Sequence, residues 1–344
     1  MKSILTAMSG GVDSAVTAVL LRQMGYRVGG AVMRLHENAS REVADAQRSA
    51  AQLGLDFHVF DWQTEFRELV QKPFMAVYQA GGTPNPCVIC NKTVKFGLFL
   101  QQALALGYDG MATGHYARVE HDAGSGRYLI RTAADAAKDQ TYMLYSLTQA
   151  QLSHLVLPMG ALSKAQAREL AQEQGLAVAQ KHDSQDICFI PDGDYMAFLT
   201  KNGLVPQSGH FIGLDGRDFG AHRGMEAYTI GQRRGLDIAY GSRIYVVGKR
   251  GNDVIIGPNA ALFSRRVTIT DVNFIPFDHL DGELRAQAKL RYTPKTAACT
   301  IRATENGAEL LFDEPQRAVT SGQAAVLYDG DVLLGGGTIT GAAE

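Results

Sequence analysis

Cysteine is scarce in this sequence, which contains four cysteines among 344 residues. So few thiols in a chain of this size do not form the disulfide framework of a small secreted protein. No run of about 18 consecutive apolar residues occurs, so no membrane-spanning helix is expected. The first residues, MKSILTAMSGG, lack the long apolar core of a signal peptide. These absences predict a cytoplasmic protein without a membrane partner.

The chain also lacks a strong excess of either charge, since its formal net charge is −2. The charge is unevenly distributed, however. Residues 201–302 contain 15 Lys and Arg against 9 Asp and Glu, whereas residues 303–344 contain 1 against 7. A basic middle segment can meet a phosphate backbone even when the whole protein is slightly acidic. A solvated basic surface without a partner explains the same counts, so charge alone leaves a nucleic-acid partner open.

Apolar periodicity divides the chain into an α/β part and a β-rich part. Short strand-like runs alternate with helix-like stretches in the first third, which predicts a parallel sheet covered by helices on both faces. After about residue 205, short β-branched runs separated by glycine turns are typical of a small barrel or sandwich. We therefore expect an α/β nucleotide domain over residues 1–204, a small bridging domain over 205–262 and a β-barrel-like domain over 263–344.

A glycine turn, Ser9-Gly10-Gly11-Val12-Asp13-Ser14, lies between the first predicted strand and the first predicted helix. Glycines let the backbone approach phosphates, and the N–H groups and dipole of a helix N-terminus favour negative charge. Ser9 and Ser14 add hydroxyl donors, and Asp13 can hold Mg²⁺ on the phosphates. No Gly-Lys-Ser/Thr follows, so the turn is not a Walker A loop. It resembles the pyrophosphate loop of ATP pyrophosphatases, while a plain helix-capping turn is the alternative.

Three of the four cysteines lie in two distinctive segments. Cys87 and Cys90 belong to Gly82-Thr83-Pro84-Asn85-Pro86-Cys87-Val88-Ile89-Cys90-Asn91-Lys92, whose prolines and asparagines predict a structured loop. Cys188 belongs to Asp183-Ser184-Gln185-Asp186-Ile187-Cys188-Phe189-Ile190. Cys299, in a strand-like apolar run, is expected to be buried and inert.

With the glycine turn, these segments resemble the tRNA-specific 2-thiouridylase family, the tRNA-uridine 2-sulfurtransferases. The resemblance runs nearly from end to end. It includes Gly114-His115-Tyr116, Lys138-Asp139-Gln140, Gly231-Gln232-Arg233, Leu290-Arg291-Tyr292 and Ser321-Gly322-Gln323-Ala324-Ala325-Val326-Leu327-Tyr328. The resemblance implies an ATP pyrophosphatase domain of the adenine nucleotide alpha hydrolase type. It also implies the tRNAs for Lys, Glu and Gln as substrates, and a cysteine desulfurase or relay protein as sulfur donor.

The implied reaction is ATP-dependent 2-thiolation of the wobble uridine, U34. The uracil C2 oxygen is adenylated with release of pyrophosphate, and sulfur then displaces AMP. By resemblance, Cys188 carries a persulfide and Cys90 is the nucleophile, leaving a Cys90–Cys188 disulfide to be reduced. A thiol of this kind reacts as thiolate, so we expect a lowered pKa near a basic group or a helix N-terminus.

Cys87 departs from the family pattern, because many relatives carry Asp at this position. Cys87, Cys90 and Cys188 could instead ligate three irons of a [4Fe–4S] cluster, with the fourth iron open to sulfide. Zinc is a weaker alternative, for which His182 is the nearest fourth ligand. The persulfide and cluster routes both stay open at this point.

The resemblance assigns the remaining site residues. The implied ATP-binding residues are Ala7, Met8, Ser9, Gly10, Gly11, Val12, Asp13, Ser14, Met33 and Gly114. The implied contacts to tRNA and its target base are Asn85, Pro86, Cys87, His115, Lys138, Asp139, Gln140, Arg291, Tyr292 and Gln323. The target uridine must leave its stack to be reached. Two rival functions remain, an ATP pyrophosphatase-type synthetase acting on a small molecule and a non-catalytic RNA-binding module.

Overall fold

The computed structural model describes residues 1–181, 187–293 and 295–343. The strands in chain order are β1 Ser3–Ala7, β2 Arg27–Arg34, β3 Phe57–Asp61, β4 Gly110–Ala112, β5 Ala117–Asp122, β6 Arg127–Thr132, β7 Leu155–Val156, β8 His210–Gly213, β9 Asp218–Ala221, β10 Tyr245–Arg250, β11 Asp253–Gly257, β12 Phe263–Phe274, β13 Glu283–Lys289, β14 Ala297–Thr304, β15 Gly307–Arg317, β16 Ala324–Asp329 and β17 Val332–Ala343. The α-helices are α1 Val12–Gln23, α2 Ser40–Gln52, α3 Gln63–Phe66, α4 Lys72–Gln79, α5 Pro86–Cys90, α6 Phe99–Ala105, α7 Gln149–Leu152, α8 Lys164–Glu173 and α9 Tyr195–Lys201.

The amino-terminal part contains the predicted parallel sheet. Its described strands follow the order β3-β2-β1-β4-β7, and every neighbouring pair is parallel. After β1, the chain adds β2 and β3 on one side of this strand and then β4 and β7 on the other side. This reversal creates a switch point between β1 and β4. Ligands of open parallel sheets bind beyond the carboxyl ends of the strands at such a point. The glycine turn follows β1 and Gly114-His115 follows β4, so both lie at the switch point.

Two π-helices interrupt the helices that cover this sheet. Arg67–Gln71 joins α3 to α4, and Asn91–Leu98 joins α5 to α6. The sequence predicted continuous helices over Phe66–Gln79 and Val94–Leu106, and it missed these wider turns. π-helical turns are often found at functional sites, and the second one begins directly after Cys90.

The segment around Cys87 corrects a second expectation. It was predicted as a loop, yet Pro86–Cys90 forms the short helix α5. Asn85 accepts a hydrogen bond from the Val88 backbone N–H at 3.4 Å and so caps the helix. Pro86 is the first helical residue, where the missing N–H of proline costs nothing. The proline that argued against a helix interior therefore starts a helix.

The carboxyl-terminal strands form a closed antiparallel barrel. The described strand order is β12-β15-β14-β13-β16-β17, and β12 also pairs with β17 to close it. The interior is apolar and includes Cys299, which is fully buried as expected. Strand β15 was not predicted, and neither was the β5–β6 hairpin, which joins the barrel where Val332 pairs with Arg131.

The barrel and the parallel sheet share one apolar core. Leu5 and Phe99 from the amino-terminal part lie in the same buried cluster as Val326 and Leu333 from the barrel. Between them in the chain, β8–β11 form a small sheet with its own core around Val246 and Ile256. The bridging region therefore packs as a separate unit, as its sequence suggested. The domain boundaries at residues 204 and 262 stay a prediction.

No helix among the described residues is long and apolar enough to cross a bilayer.

A buried ion pair also joins the barrel to the amino-terminal part. Lys289 Nζ in β13 lies 3.4 Å from Asp139 Oδ2, and both residues are buried. Asp139 also accepts hydrogen bonds from the Thr141 hydroxyl at 2.8 Å and from the Ala133 backbone N–H at 3.1 Å. The Lys289 ammonium further lies 4.9 Å from the centre of the Tyr328 ring.

Replacing Lys289 with Met should therefore destabilise the protein, because the Asp139 carboxylate would stay buried without its cation. We expect the free energy of unfolding to fall by about 3 kcal/mol, the scale for breaking a buried pair. Urea unfolding, monitored by circular dichroism, measures this free energy. Arg302→Ala is the matched control, since the Arg302–Glu283 pair is exposed and should contribute less than about 1 kcal/mol. Equal losses for both variants would contradict the assigned role of the buried pair.

Candidate active site

The glycine turn provides an open anion site at the start of α1. No described side chain caps this helix, whose first residues follow Gly10 and Gly11 directly. Gly10 has a φ of +71°, and a Cβ there would lie 2.6 Å from the Glu42 carbonyl oxygen, so only glycine fits. The Ser14 hydroxyl donates to the Gly11 carbonyl at 3.0 Å, and the Ser9 backbone N–H donates to the Ser14 hydroxyl. The turn is therefore shaped for phosphate.

Two lysines that were not predicted from the sequence hold this turn. Lys164 Nζ lies 2.8 and 2.9 Å from the two carboxylate oxygens of Asp13, and the Tyr116 hydroxyl donates to Asp13 at 2.9 Å. On the other side, Lys181 Nζ donates to the Gly10 carbonyl at 2.9 Å and pairs with Asp45 at 2.8 Å. Both lysines are distant from the turn in the sequence, and only the folded chain brings them next to it.

The loop after β4 closes directly onto the turn. A Cβ on Gly114 would lie 3.0 Å from the Asp13 backbone, tighter than most side-chain contacts, so glycine favours this close approach. The next residue, His115, has its Nδ1 2.6 Å from the Thr113 hydroxyl oxygen, and its ring centre lies 5.6 Å from that of Phe96. Burial, reinforced by the positive charge of Lys95, holds the pKa of His115 well below its usual value. His115 is therefore neutral near pH 7.

Cys90 lies in an apolar cluster, directly before the π-helix that carries Phe96. The cluster contains Phe66, Val70 and Val94, and Met33 from the carboxyl end of β2 packs against it. Phe189, the neighbour of Cys188, packs against the same cluster, with its ring centre 5.5 Å from that of Phe66. Thus the predicted adenine neighbour Met33 and the segments carrying Cys90 and Cys188 meet in one place. No described cysteine forms a disulfide, and Cys87 and Cys188 are exposed.

The expected lowering of the cysteine pKa is wrong. Burial raises the pKa of Cys90 to about 12, the nearby Lys95 lowers it, and the thiols of Cys188 and Cys87 raise it. Desolvation likewise raises the pKa of Cys188 to about 11, together with the effect of Cys87 and against that of Lys95. Desolvation of the thiolate therefore raises the pKa of each thiol by more than the positive charge of Lys95 lowers it. Both thiols are therefore protonated at neutral pH.

The pKa of Cys90 responds to both other thiols, but no group of three His, Cys, Asp or Glu among the described residues is arranged to hold a metal ion. His182, the candidate fourth zinc ligand, lies outside the described residues, as do Asp183 to Asp186.

Family models match three successive parts of the chain. The tRNA methyl transferase HUP domain matches residues 2–192, the tRNA methyl transferase PRC-barrel domain residues 197–258, and the aminomethyltransferase beta-barrel domain residues 264–339. A tRNA-specific 2-thiouridylase of Clostridioides difficile is 43% identical over 98% of both chains. One of Carboxydothermus hydrogenoformans is 44% identical over 98% of this chain and 97% of its own. The chain belongs to the tRNA-specific 2-thiouridylase family.

Among solved structures, the U34-tRNA thiolase of Methanococcus maripaludis with its [4Fe-4S] cluster is similar over 59% of this chain and 66% of its own. The identity is 16% and the TM-score 0.37. A likeness this distant says nothing about the sulfur chemistry of this chain.

The residues that resemble the family's tRNA contacts come together at the junction with the barrel. The Tyr292 hydroxyl donates to the Asp139 carbonyl at 3.2 Å, and Tyr292 and Arg291 are exposed. Lys138 and Gln140 are half-buried, and Gln140 exchanges two hydrogen bonds with the Tyr116 backbone. Asp139, in contrast, is buried in its ion pair with Lys289. Its side chain therefore supports this surface from beneath.

The base-pocket candidates lie at the start of α5. Asn85 caps the helix, Pro86 is buried and Cys87 is exposed. Gln323 contacts this segment instead of standing apart on the barrel, because its amide nitrogen lies 2.9 Å from the Thr83 carbonyl oxygen.

Lys164→Met should weaken ATP binding, because the Asp13 carboxylate would then stand beside the phosphates without its cation. We expect Kd for ATP, measured by isothermal titration calorimetry, to rise about tenfold, the scale of one charged hydrogen bond. Lys72→Met is the matched control, since Lys72 pairs with Glu68 on an exposed helix surface. An unchanged Kd in the Lys164 variant would show that this lysine does not serve the turn.

Lys95→Gln should raise the pKa of the Cys188 thiol further, because the variant removes the ammonium that favours the thiolate. In a chain with Cys87 and Cys90 changed to serine, iodoacetamide alkylation of Cys188 at pH 9 should slow by about threefold. The difference should vanish above the pKa of the thiol. The control is Lys92→Gln, an exposed lysine of the same π-helix. Equal alkylation rates in the two variants would show that Lys95 does not influence the Cys188 thiol.

Proposed function

We propose that this chain is an ATP-dependent tRNA-uridine 2-sulfurtransferase that converts the wobble uridine, U34, to 2-thiouridine. The observation that carries the proposal is the meeting of the glycine turn, His115 and the thiol-bearing segments around one switch point. The curated relatives are named for the same modification. A synthetase acting on a small molecule would need the turn but would have no use for thiols beside it. We propose the tRNAs for Lys, Glu and Gln as substrates and the cytoplasm as the place of the reaction.

In the first half-reaction, the turn and the start of α1 bind the ATP phosphates. The backbone N–H groups there and the helix dipole favour the anion. Asp13 would hold Mg²⁺ through its carboxylate oxygens, and Lys164, whose Nζ lies 2.8 Å from that carboxylate, places a positive charge beside the turn. Mg²⁺ supplies charge neutralisation to the leaving pyrophosphate. The uracil C2 oxygen attacks the α-phosphorus, and pyrophosphate leaves from the turn.

In the second half-reaction, sulfur arrives as a persulfide on Cys188 from a cysteine desulfurase or a relay protein. Cys188 is the exposed member of the pair, as an acceptor of sulfur from another protein must be. The thiolate of Cys90 attacks the Cys188 sulfur, forming the Cys90–Cys188 disulfide and releasing hydrosulfide. Hydrosulfide adds to C2 of the adenylated uracil, and AMP leaves with the former C2 oxygen. A thiol reductant then restores both cysteines.

We propose the persulfide route because its two thiols differ in access, with Cys188 exposed and Cys90 buried. A donor protein can reach an exposed thiol and not a buried one. We assign no step to a cluster. We assign Cys87 no chemical step and place it beside the proposed base pocket, at the start of α5.

The raised pKa of Cys90 places one demand on this reaction. At pH 7 the thiol is protonated, so sulfur cannot be released before the proton leaves. Lys95 is the described cation that favours the thiolate of both cysteines, so it offsets part of the cost of burial. Burial in turn keeps a reactive thiol inert until the substrate is present.

Cys90→Ser should abolish 2-thiouridine formation while leaving adenylation within about twofold, because a serine hydroxyl cannot form the disulfide with Cys188 that releases hydrosulfide. Pyrophosphate release with ATP and tRNA together measures the first half, and nucleoside mass spectrometry of the tRNA measures the second. Cys299→Ala, a change inside the barrel, is the control and should retain both activities. Thiolation that survives Cys90→Ser would refute the nucleophile. Pyrophosphate release without tRNA would favour the small-molecule synthetase.

The cluster alternative is tested on anaerobically purified protein. Iron and sulfide near background, with thiolation driven by a persulfide donor, support the persulfide route. About four irons per chain, lost in Cys90→Ser, would replace it with the cluster route.

A further inference from the structure

The segment before α5 is held by the barrel. We call Gly82–Asn85 the pocket loop, because it leads into the helix that carries Cys87 and Cys90, and Thr320–Gln323 the barrel loop. The Thr83 backbone N–H donates to the Ser321 carbonyl at 2.9 Å. The Gln323 side-chain amide donates to the Thr83 carbonyl at 2.9 Å and to the Pro84 carbonyl at 3.2 Å. Three successive backbone groups of the pocket loop thus find their partners on the barrel.

Two glycines make this approach possible. A Cβ on Gly322, whose φ is +88°, would lie 2.7 Å from Val77 Cγ1 and 3.0 Å from the Thr83 carbonyl oxygen. A Cβ on Gly82 would lie 2.8 Å from the same Val77 atom and 3.1 Å from the Ser321 carbonyl oxygen. Side chains on either loop would push the two apart. The contact is therefore built into both sequences.

Gln323 is itself rigidly anchored. Its backbone carbonyl accepts from the Ile339 N–H of β17 at 2.8 Å, and the Gly322 N–H donates to the Ile339 carbonyl at 2.9 Å. The bridging region adds one more contact, since the Thr83 hydroxyl lies 3.4 Å from that of Thr229. The pocket loop is thus fixed against the closed barrel at one end, while Asn85 caps α5 at the other.

We propose that Gln323 is a positioning residue, through which the barrel sets the place of the base pocket and of Cys87 and Cys90. The inference rests on the proposed function and deepens it. As a mere tRNA contact, the amide would have its donors free toward the ligand, yet both acceptors it meets are carbonyls of the pocket loop. Pro84 and Pro86 cannot donate backbone hydrogen bonds, so few other backbone donors are available to fix the loop. The barrel, which we propose to contact tRNA, therefore also fixes the position of the pocket loop.

The separation of kcat from KM tests this role. In Gln323→Ala, two carbonyls lose their donor, so kcat for thiolation should fall about tenfold while KM for tRNA stays within about twofold. Gly322→Ala should show the same pattern, because its Cβ drives the loops apart. Gln316→Ala is the control, a glutamine of β15 whose amide bonds only to the neighbouring Glu314 carbonyl among described partners. It should behave like the wild type. A circular dichroism melt confirms that each variant is folded.

A second readout does not need turnover. Cys87 is exposed at the start of α5, so its rate of alkylation by iodoacetamide reports the placement of the helix. We expect this rate to change at least threefold in Gln323→Ala and to stay unchanged in Gln316→Ala. A raised KM with unchanged kcat, or unchanged kcat together with an unchanged Cys87 rate, overturns the proposal. If the wild type forms no 2-thiouridine, the proposed function fails, while the Cys87 rates still decide whether Gln323 holds the loop.

Discussion

The approach of the loop after β4 to the turn after β1 is the contact on which the rest of the site depends. It exists because β1 and β4 are neighbours in a parallel sheet and because Gly114 has no side chain to separate the loops. It brings His115 beside the phosphate turn, and Phe96 then links His115 to the π-helix that follows Cys90. A methyl group at Gly114 would meet the Asp13 backbone at 3.0 Å and disturb the whole series.

Two opposing electrostatic demands meet at this place. The phosphate turn needs positive charge, which the start of α1, Lys164 and Lys181 provide. Cys90 is buried and Cys188 is more accessible, yet desolvation disfavours the charged form of both thiols. The positive charge of Lys95 lowers the pKa of His115, Cys90 and Cys188 alike. One ammonium thus adds to the burial that keeps His115 neutral, and it favours the thiolate of both cysteines.

The sequence predicted the parallel sheet and the phosphate turn well, because both depend on local patterns. The apolar runs Ile4–Met8, Arg27–Met33 and Phe57–Phe60 predict three strands, and β1 to β3 begin within one residue of them. The turn lies where strand and helix periodicity meet. The prediction failed where the outcome depends on distant partners. Asp139 was expected to face tRNA, but its partner Lys289 is 150 residues away and only the fold brings them together. The same holds for Lys164 and Asp13, which are 151 residues apart.

Local patterns also misled where two meanings compete. Proline before Cys87 signals a break in a helix interior but also marks the first residue of a helix, and only the cap of Asn85 decides. A basic group near a cysteine suggests a lowered pKa, yet the sequence cannot show how deeply the sulfur is buried. Strand β15 was missed because Pro315 and its acidic residues hide an alternating apolar face.

The barrel could have been an independent tRNA-binding module, but the packing argues that it belongs to the active site. Its strands share an apolar core with the parallel sheet, its Lys289 neutralises the carboxylate of Asp139, and its loop satisfies the backbone ahead of Cys87. These contacts are of different kinds and lie at different points, so no single one could be lost without straining the others. Placement of the target base and delivery of sulfur are therefore properties of the joined domains, because neither domain alone completes the backbone hydrogen bonding of the pocket loop.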